Sequence, residues 1–229
     1  MKIIDVVQGS PEWIAARIGL PTASSFDRII QPKKLQPSTA QDGYIARLCA
    51  EWFLGQSLDE SIGQYAERGK ELEESAVARY EFDTGAEAVK IGFCLSDDGR
   101  CGCSPDRLVG EDGLLEIKCP GVEAHMGYLL DDRQLARDYV CQTQSQLWIT
   151  GKKWDDLYSF HGMLPPVRIR LVRDGEYMEA LDAVVPEFLA RLDEAKATLA
   201  PLRAARLEAL AEAEAAAEEM TVAEGGVVF

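Results

Sequence analysis

Apolar residues recur at helical spacing in several long stretches of the chain and gather into short runs between them. Trp13, Ile14 and Ile18 follow the start Ser10-Pro11-Glu12 and stop at Gly19, as in a short helix opened by a serine cap and closed by glycine. PTASSFDRII offers Thr22 and Ser24 as caps of a second short helix, and QPKKLQPS reads as a proline-punctuated exposed loop carrying Lys33 and Lys34. Tyr44, Ile45, Leu48, Trp52 and Phe53 predict a helix between Thr39 and Gly55, and a further helical pattern runs roughly from Ile62 to Phe82. After Gly85 the pattern changes to three strand-like runs, Ala88 to Leu95, Cys101 to Val109 and Leu114 to Cys119, separated by DDG and GEDG turns. A helix follows at about Ala136 to Thr150, then strands in WDDLYSFH and PVRIRLVR, then a long helix from about Gly175 to Leu199.

This order predicts an α/β fold, a mixed sheet flanked by helices, with no internal repeat. Residues 1–200 read as one domain. Residues 201–229 read as an Ala/Glu-rich helical tail, solvated and fraying into VAEGGVVF, with only Leu202, Leu207 and Leu210 as apolar anchors.

Composition narrows the picture. A chain of 229 residues that is 47% hydrophobic can bury one substantial core, which excludes disorder over most of its length. No apolar run is long enough to span a membrane, and MKIIDVVQGSPEW lacks the features of a secretory signal, so a cytoplasmic protein is expected. Six cysteines without a CxxC pair read as reduced thiols; Cys94, Cys101, Cys103 and Cys119 lack the spacing of an iron–sulfur site. His125 and His161 do not pair with a nucleophile at a recognisable spacing, and there is no P-loop. The net charge of −15 argues against a generic basic nucleic-acid binder, and the balance stays acidic without the six acidic residues of the tail. Any handling of nucleic acid must go through local basic groups or metal ions.

The chemistry concentrates in CSPDRLVGEDGLLEIKCP. Glu116 and Lys118 stand two residues apart on a predicted strand and so share a face, where Asp106 of the neighbouring strand can meet them. Leu115 and Ile117 take the opposite face. Two carboxylates and a lysine in one cleft suit metal-dependent phosphodiester hydrolysis, with hard oxygen ligands for Mg²⁺ and a lysine to orient water or offset charge. In RGKELEESAVARYEFDTG, Glu67, Glu71, Glu73 and Glu74 compete to supply a third carboxylate.

Four ordered motifs, GSPEWIAARIGLPTASSF, RGKELEESAVARYEFDTG, CSPDRLVGEDGLLEIKCP and QTQSQLWITG, resemble those of the phage lambda exonuclease family of viral recombinases over roughly residues 8–195. The resemblance implies a restriction-endonuclease-like core and Mg²⁺-dependent 5′ to 3′ hydrolysis of one strand of linear duplex DNA; two ions per site are expected, and whether Mn²⁺ substitutes for Mg²⁺ is left open by the sequence. It further implies a homotrimeric ring, a single-strand annealing protein as partner, and a phage or prophage origin in a bacterial cell. By position it makes Asp106, Glu116, the carbonyl of Ile117 and Glu73 the metal ligands, and Lys118 the group acting on the attacking water. It assigns the 5′ phosphate to Arg17, Ser24 and Gln142, with Gln144 competing for the last place. In a ring, Lys33, Lys34 and Lys70 could face the DNA channel. Two other readings stand beside this one: an endonuclease or junction-resolving enzyme on the same fold, and a non-catalytic recombination protein.

Overall fold

The computed structural model describes residues 1–59 and 66–224, and their side chains except at 66–71 and 216–224. The chain begins with strand β1 (Lys2–Ile4) and helix α1 (Pro11–Arg17), where the Ser10 side chain accepts the Trp13 N–H at 3.2 Å as the predicted cap. A 3₁₀ helix (Ala23–Arg28) leads into a small hairpin, β2 (Ile30–Gln31) and β3 (Gln36–Pro37). The stretch read as an open loop is thus a hairpin turn, with Lys33 and Lys34 exposed in it. Helix α2 (Gln41–Leu54) ends at Gly55 in the left-handed conformation, and α3 (Ala66–Thr84) follows. The predicted start of α3 at Ile62 lies outside the described residues.

Two of the predicted strands each divide in two. The run from Ala88 to Leu95 forms β4 (Ala88–Lys90) and β5 (Phe93–Leu95); the run from Cys101 to Val109 forms β6 (Gly102–Cys103) and β7 (Arg107–Val109). The halves belong to different sheets. β1, β5 and β6 make a three-stranded sheet, whereas β4 and β7 join β8 (Gly113–Lys118), β9 (Trp154–His161) and β10 (Leu164–Val172) in the order β10-β9-β8-β7-β4. Gly92 sits at the first switch, where a Cβ would lie 2.4 Å from the Ile4 carbonyl oxygen, so only glycine lets the chain cross there.

The five-stranded sheet is mixed, as predicted. β8 at its centre pairs antiparallel with β7 and parallel with β9. A parallel pair needs a crossover, supplied here by α4 (Val122–Leu130), which the sequence pattern did not reveal, and α5 (Asp132–Thr150). On one face of the sheet Ala76, Val77 and Tyr80 of α3 pack on Leu115, Ile117 and Tyr158. On the other lie α4 and α5, and α5 is backed in turn by the 3₁₀ helix, α2 and a last helix, α6 (Gly175–Glu224), around Phe26, Tyr44, Leu181 and Phe188.

α6 runs unbroken past the predicted end at Leu199 and through Pro201. Its middle is held to the N-terminal region: Lys196 Nζ donates to the Gly19 carbonyl at 2.8 Å and Arg203 Nε to the Trp52 carbonyl at 2.9 Å. The first turns of the segment read as a solvated tail therefore dock on α2, and exposure is continuous only from Leu207 to Ala215. Residues 225–229 lie outside the described part. Among the described residues no helix is long and apolar enough to cross a membrane.

Candidate active site

Strand alternation on β8 turns Leu115 and Ile117 toward α3 and leaves Glu116 and Lys118 facing α5. Lys118 Nζ donates to Glu116 Oε1 at 2.7 Å. From α5, Gln142 Nε2 donates to the same oxygen at 2.6 Å, and its own Oε1 accepts from Lys118 Nζ at 3.2 Å. Gln146, one helical turn on, donates to Glu116 Oε2 at 2.7 Å. Asp106, just before β7, accepts the Ile117 N–H on Oδ2 at 2.6 Å. The structure thus brings Asp106, Glu116, Lys118 and Gln142 together and adds Gln146. Sequence reasoning missed Gln146, although its i, i+4 spacing from Gln142 was there to be used.

The electrostatics follow from crowding carboxylates in a poorly solvated place. Burial, followed by the charges of Glu116 and Glu73, pushes the Asp106 carboxyl well above the usual carboxylate range. Burial opposes the charge on Lys118, but Glu116 and Asp106 outweigh it and hold the ammonium above its ordinary value. Burial, reinforced by Asp106 and Glu73, raises the neighbouring Cys119 thiol to about 11, so it is a neutral thiol and not a thiolate ligand. Behind Glu116 lies Asp155 on β9, fully buried, with neither carboxylate oxygen hydrogen-bonded among the described residues. Gln146 Oε1 is likewise without a partner.

Asp106 and Asp155, whose proton affinity burial and the neighbouring carboxylate charges raise, mark a place that favours a cation, and the available donors are hard oxygens. This fits Mg²⁺, which binds through one or two carboxylates and completes its shell with water and substrate phosphate. The fit does not require a cage, and among the described residues no three Asp, Glu, His or Cys side chains are grouped to make one. Glu73, on α3, is held at the rim: Arg107 Nη1 donates to it at 2.7 Å and to the Asp106 carbonyl at 2.7 Å, while Nη2 donates to Glu74 at 2.9 Å. The side chains of the rival acids Glu67 and Glu71, and of Lys70, lie outside the described part.

A polar cavity of about 200 Å³ adjoins the cluster, lined by Arg17, Ser24, Ser104, Gln142 and Gln146 among others. Arg17 stacks its guanidinium 4.0 Å from the Trp13 ring centroid, and Trp13 Nε1 donates to Ser104 Oγ at 2.8 Å. Ser104 is a lining residue that sequence reasoning missed; its position two residues before Asp106 was the available signal. Gln144 points elsewhere: its Nε2 donates to the Val172 carbonyl at 2.8 Å and its Oε1 accepts the Asp174 N–H at 3.0 Å. Lys33 and Lys34 line neither this cavity nor the carboxylate cluster. His125 is structural. Its Nε2 faces the Pro165 carbonyl at 2.9 Å and so must donate, leaving Nδ1 to accept from Ser159 Oγ at 2.8 Å in the buried interior. A larger, more open cavity of about 880 Å³ lies on the α3 side of the sheet, away from the cluster, where Arg170 is held on Asp156 by two 2.7 Å bonds.

Residues 12–153 match the YqaJ-like viral recombinase domain. Among solved structures, an alkaline exonuclease (LHK-Exo) from Laribacter hongkongensis is 32% identical, with a TM-score of 0.73 over 86% of this chain and 100% of its own. The same enzyme in complex with dAMP gives the same values. A phage-related exonuclease from Haemophilus somnus 129PT, 14% identical, shares the fold with a TM-score of 0.59 over 86% of this chain and 97% of its own. No curated protein matches the chain.

Proposed function

The chain belongs to the YqaJ-like viral recombinase family, and from that premise we propose that it is a Mg²⁺-dependent exonuclease degrading one strand of linear duplex DNA from its 5′ end. The 3′ overhang left behind would serve recombination by strand annealing. Gln142 is the observation that carries this reading, because it bonds to Glu116 and Lys118 and also lines the Arg17–Ser24–Ser104 cavity. One side chain thereby joins a hydrolytic cluster to a polar pocket of the kind that holds a terminal phosphate. Such a pairing measures cleavage from an end. The dAMP bound by the 32% identical exonuclease is the kind of mononucleotide that this hydrolysis releases.

In this reading Asp106, Glu116 and the Ile117 carbonyl hold the metal, with Glu73 at the rim. When bound, Mg²⁺ polarises the phosphodiester and acidifies a water molecule. Lys118 stays protonated beside Glu116 and Asp106, so it acts as a donor that orients the water and offsets charge gathering on the phosphate. Gln142 and Gln146 hold Glu116 in one orientation. Arg17, Ser24 and Ser104 offer donors to the end phosphate, and Lys33 and Lys34 meet the duplex backbone. A homotrimeric ring around DNA and an annealing-protein partner complete the proposal.

The test is a gel assay on 5′-phosphorylated linear duplex and on a covalently closed circle, with Mg²⁺ or chelator. Progressive shortening of one strand of the linear substrate is expected, lost with chelator, Lys118→Ala or Asp106→Ala. Cutting of the circle would identify an endonuclease, and Mg²⁺-dependent activity on neither substrate would leave a non-catalytic recombination protein. Lys33→Ala with Lys34→Ala should flatten the salt dependence of binding; an unchanged slope removes the hairpin from the interface.

A further inference from the structure

The cavity beside the cluster does not end at Arg17. Arg17, Thr22 and Ser24 also line a second cavity of about 260 Å³, on whose walls stand Arg28, from the end of the 3₁₀ helix, and Arg47 of α2. Three arginines therefore border one small space. Among the described residues its acids are Glu51 and Asp59, and the charges of both bear on Arg17. Glu51 is already engaged, accepting from the Gly19 N–H at 3.3 Å, the Leu58 N–H at 3.2 Å and Arg47 Nε at 3.5 Å. Tyr44, with Arg28 5.6 Å above its ring, is the one aromatic lining residue among the described residues, and the remainder of the described wall is largely serine, threonine and arginine. Such a lining suits charge and not a stacked base. Guanidinium forks match phosphate oxygens in particular.

We propose that this second cavity is an anion chamber taking a phosphate beyond the 5′-terminal one, so that the protein accepts 5′-di- and triphosphate ends of duplex DNA. The inference rests on the end-binding reading given above. The chemistry balances without a further reactant. Water adds to the first internucleotide phosphorus, the P–O3′ bond breaks, and the departing O3′ takes a proton. The shortened strand keeps its phosphate as a new 5′ monophosphate, and the first product is a nucleoside triphosphate in place of a monophosphate.

The experiment uses 3′-labelled duplexes ending in 5′-hydroxyl, 5′-monophosphate, 5′-triphosphate, or a monophosphorylated one-nucleotide 5′ overhang. Degradation of the triphosphate duplex with release of one nucleoside triphosphate per end is expected. Arg28→Ala and, separately, Arg47→Gln should each lower the triphosphate-to-monophosphate rate ratio about tenfold, the loss of one charge-assisted contact. Melting curves identify any variant that fails to fold, and the other then carries the test. The chamber is overturned if triphosphate ends are refused like hydroxyl ends, or if the variants change both rates equally. Dependence on Arg28 seen with the overhang alone would overturn it as well, since the site would then hold a strand and not a polyphosphate. A binding titration of the same duplexes in chelator separates the two ideas. Arg28-dependent preference for triphosphate ends supports the chamber even if nothing is cut, and equal binding overturns it. Failure to degrade any linear duplex counts against the exonuclease reading alone.

Discussion

Gln142 and Gln144 stand two positions apart on α5 and serve different ends. The first bonds to Glu116 and Lys118; the second ties α5 to the connection between β10 and α6. Gln142→Ala should therefore lower the cleavage rate on phosphorylated linear duplex by about 10- to 100-fold with little change in melting. Gln144→Ala should cost about 1–3 kcal/mol in urea denaturation and leave the rate intact, because it strips partners from two backbone groups. Asp155 gives a pH signature. Burial, followed by the charges of Glu116 and Asp106, raises its carboxyl well above the ordinary range, so the folded chain keeps a proton that the unfolded chain releases near pH ~4. Stability is thus lost as pH climbs from there toward the folded value. Asp155→Asn has no proton to lose, so in chelator its stability relative to the parent should grow from pH 5 to pH 8, read as the difference in urea midpoints.

Helix α1 is fixed against α2 by a close approach that only glycine permits. Gly19 has φ of +67°, and a Cβ there would lie 2.8 Å from the Trp52 Cβ. Gly19→Ala should cost about 1–3 kcal/mol by denaturant melt, and since Arg17 lies two residues away it should also weaken discrimination between phosphorylated and unphosphorylated ends. The long helices and the β8, β9 and β10 strands were legible because their periods persist over many residues. The strand divisions at Gly92 and at Ser104-Pro105-Asp106 were not, because a chain passing from one sheet to another keeps the same apolar alternation on both sides of the switch. α4 escaped because its larger apolar residues, Val122, Met126, Tyr128, Leu129 and Leu130, form no clean stripe, and Val122 and Leu130 are exposed. In the site, alternation on β8 sufficed to pair Glu116 with Lys118. Gln146 and Ser104 became visible only once α5 was laid on the sheet and α1 on the loop before β7.

The acidic C-terminal helix divides into a docked and an exposed length. Arg203 bonds to the Trp52 carbonyl and lies 4.7 Å from the Trp52 ring centroid, Arg206 is half-buried, and residues 207–215 after it are all exposed. Truncation after residue 207 should leave stability within about 0.5 kcal/mol of the parent. Truncation after residue 199 removes the Arg203 clamp as well and should cost about 1–2 kcal/mol; equal melting of the two shortened chains would show that the clamp contributes nothing.

The parallel pairing of β8 with β9 also governs when the molecule can become active. Residues 119–153 must be made and folded back before β9 can reach β8, and Gln142 and Gln146 lie within that returning segment. Pairing of this non-local kind closes late in folding. A chain emerging from the ribosome thus carries Asp106, Glu116 and Lys118 for some time without the glutamines that orient Glu116, and under the proposed function a nuclease assembled in this order stays silent until its sheet is whole.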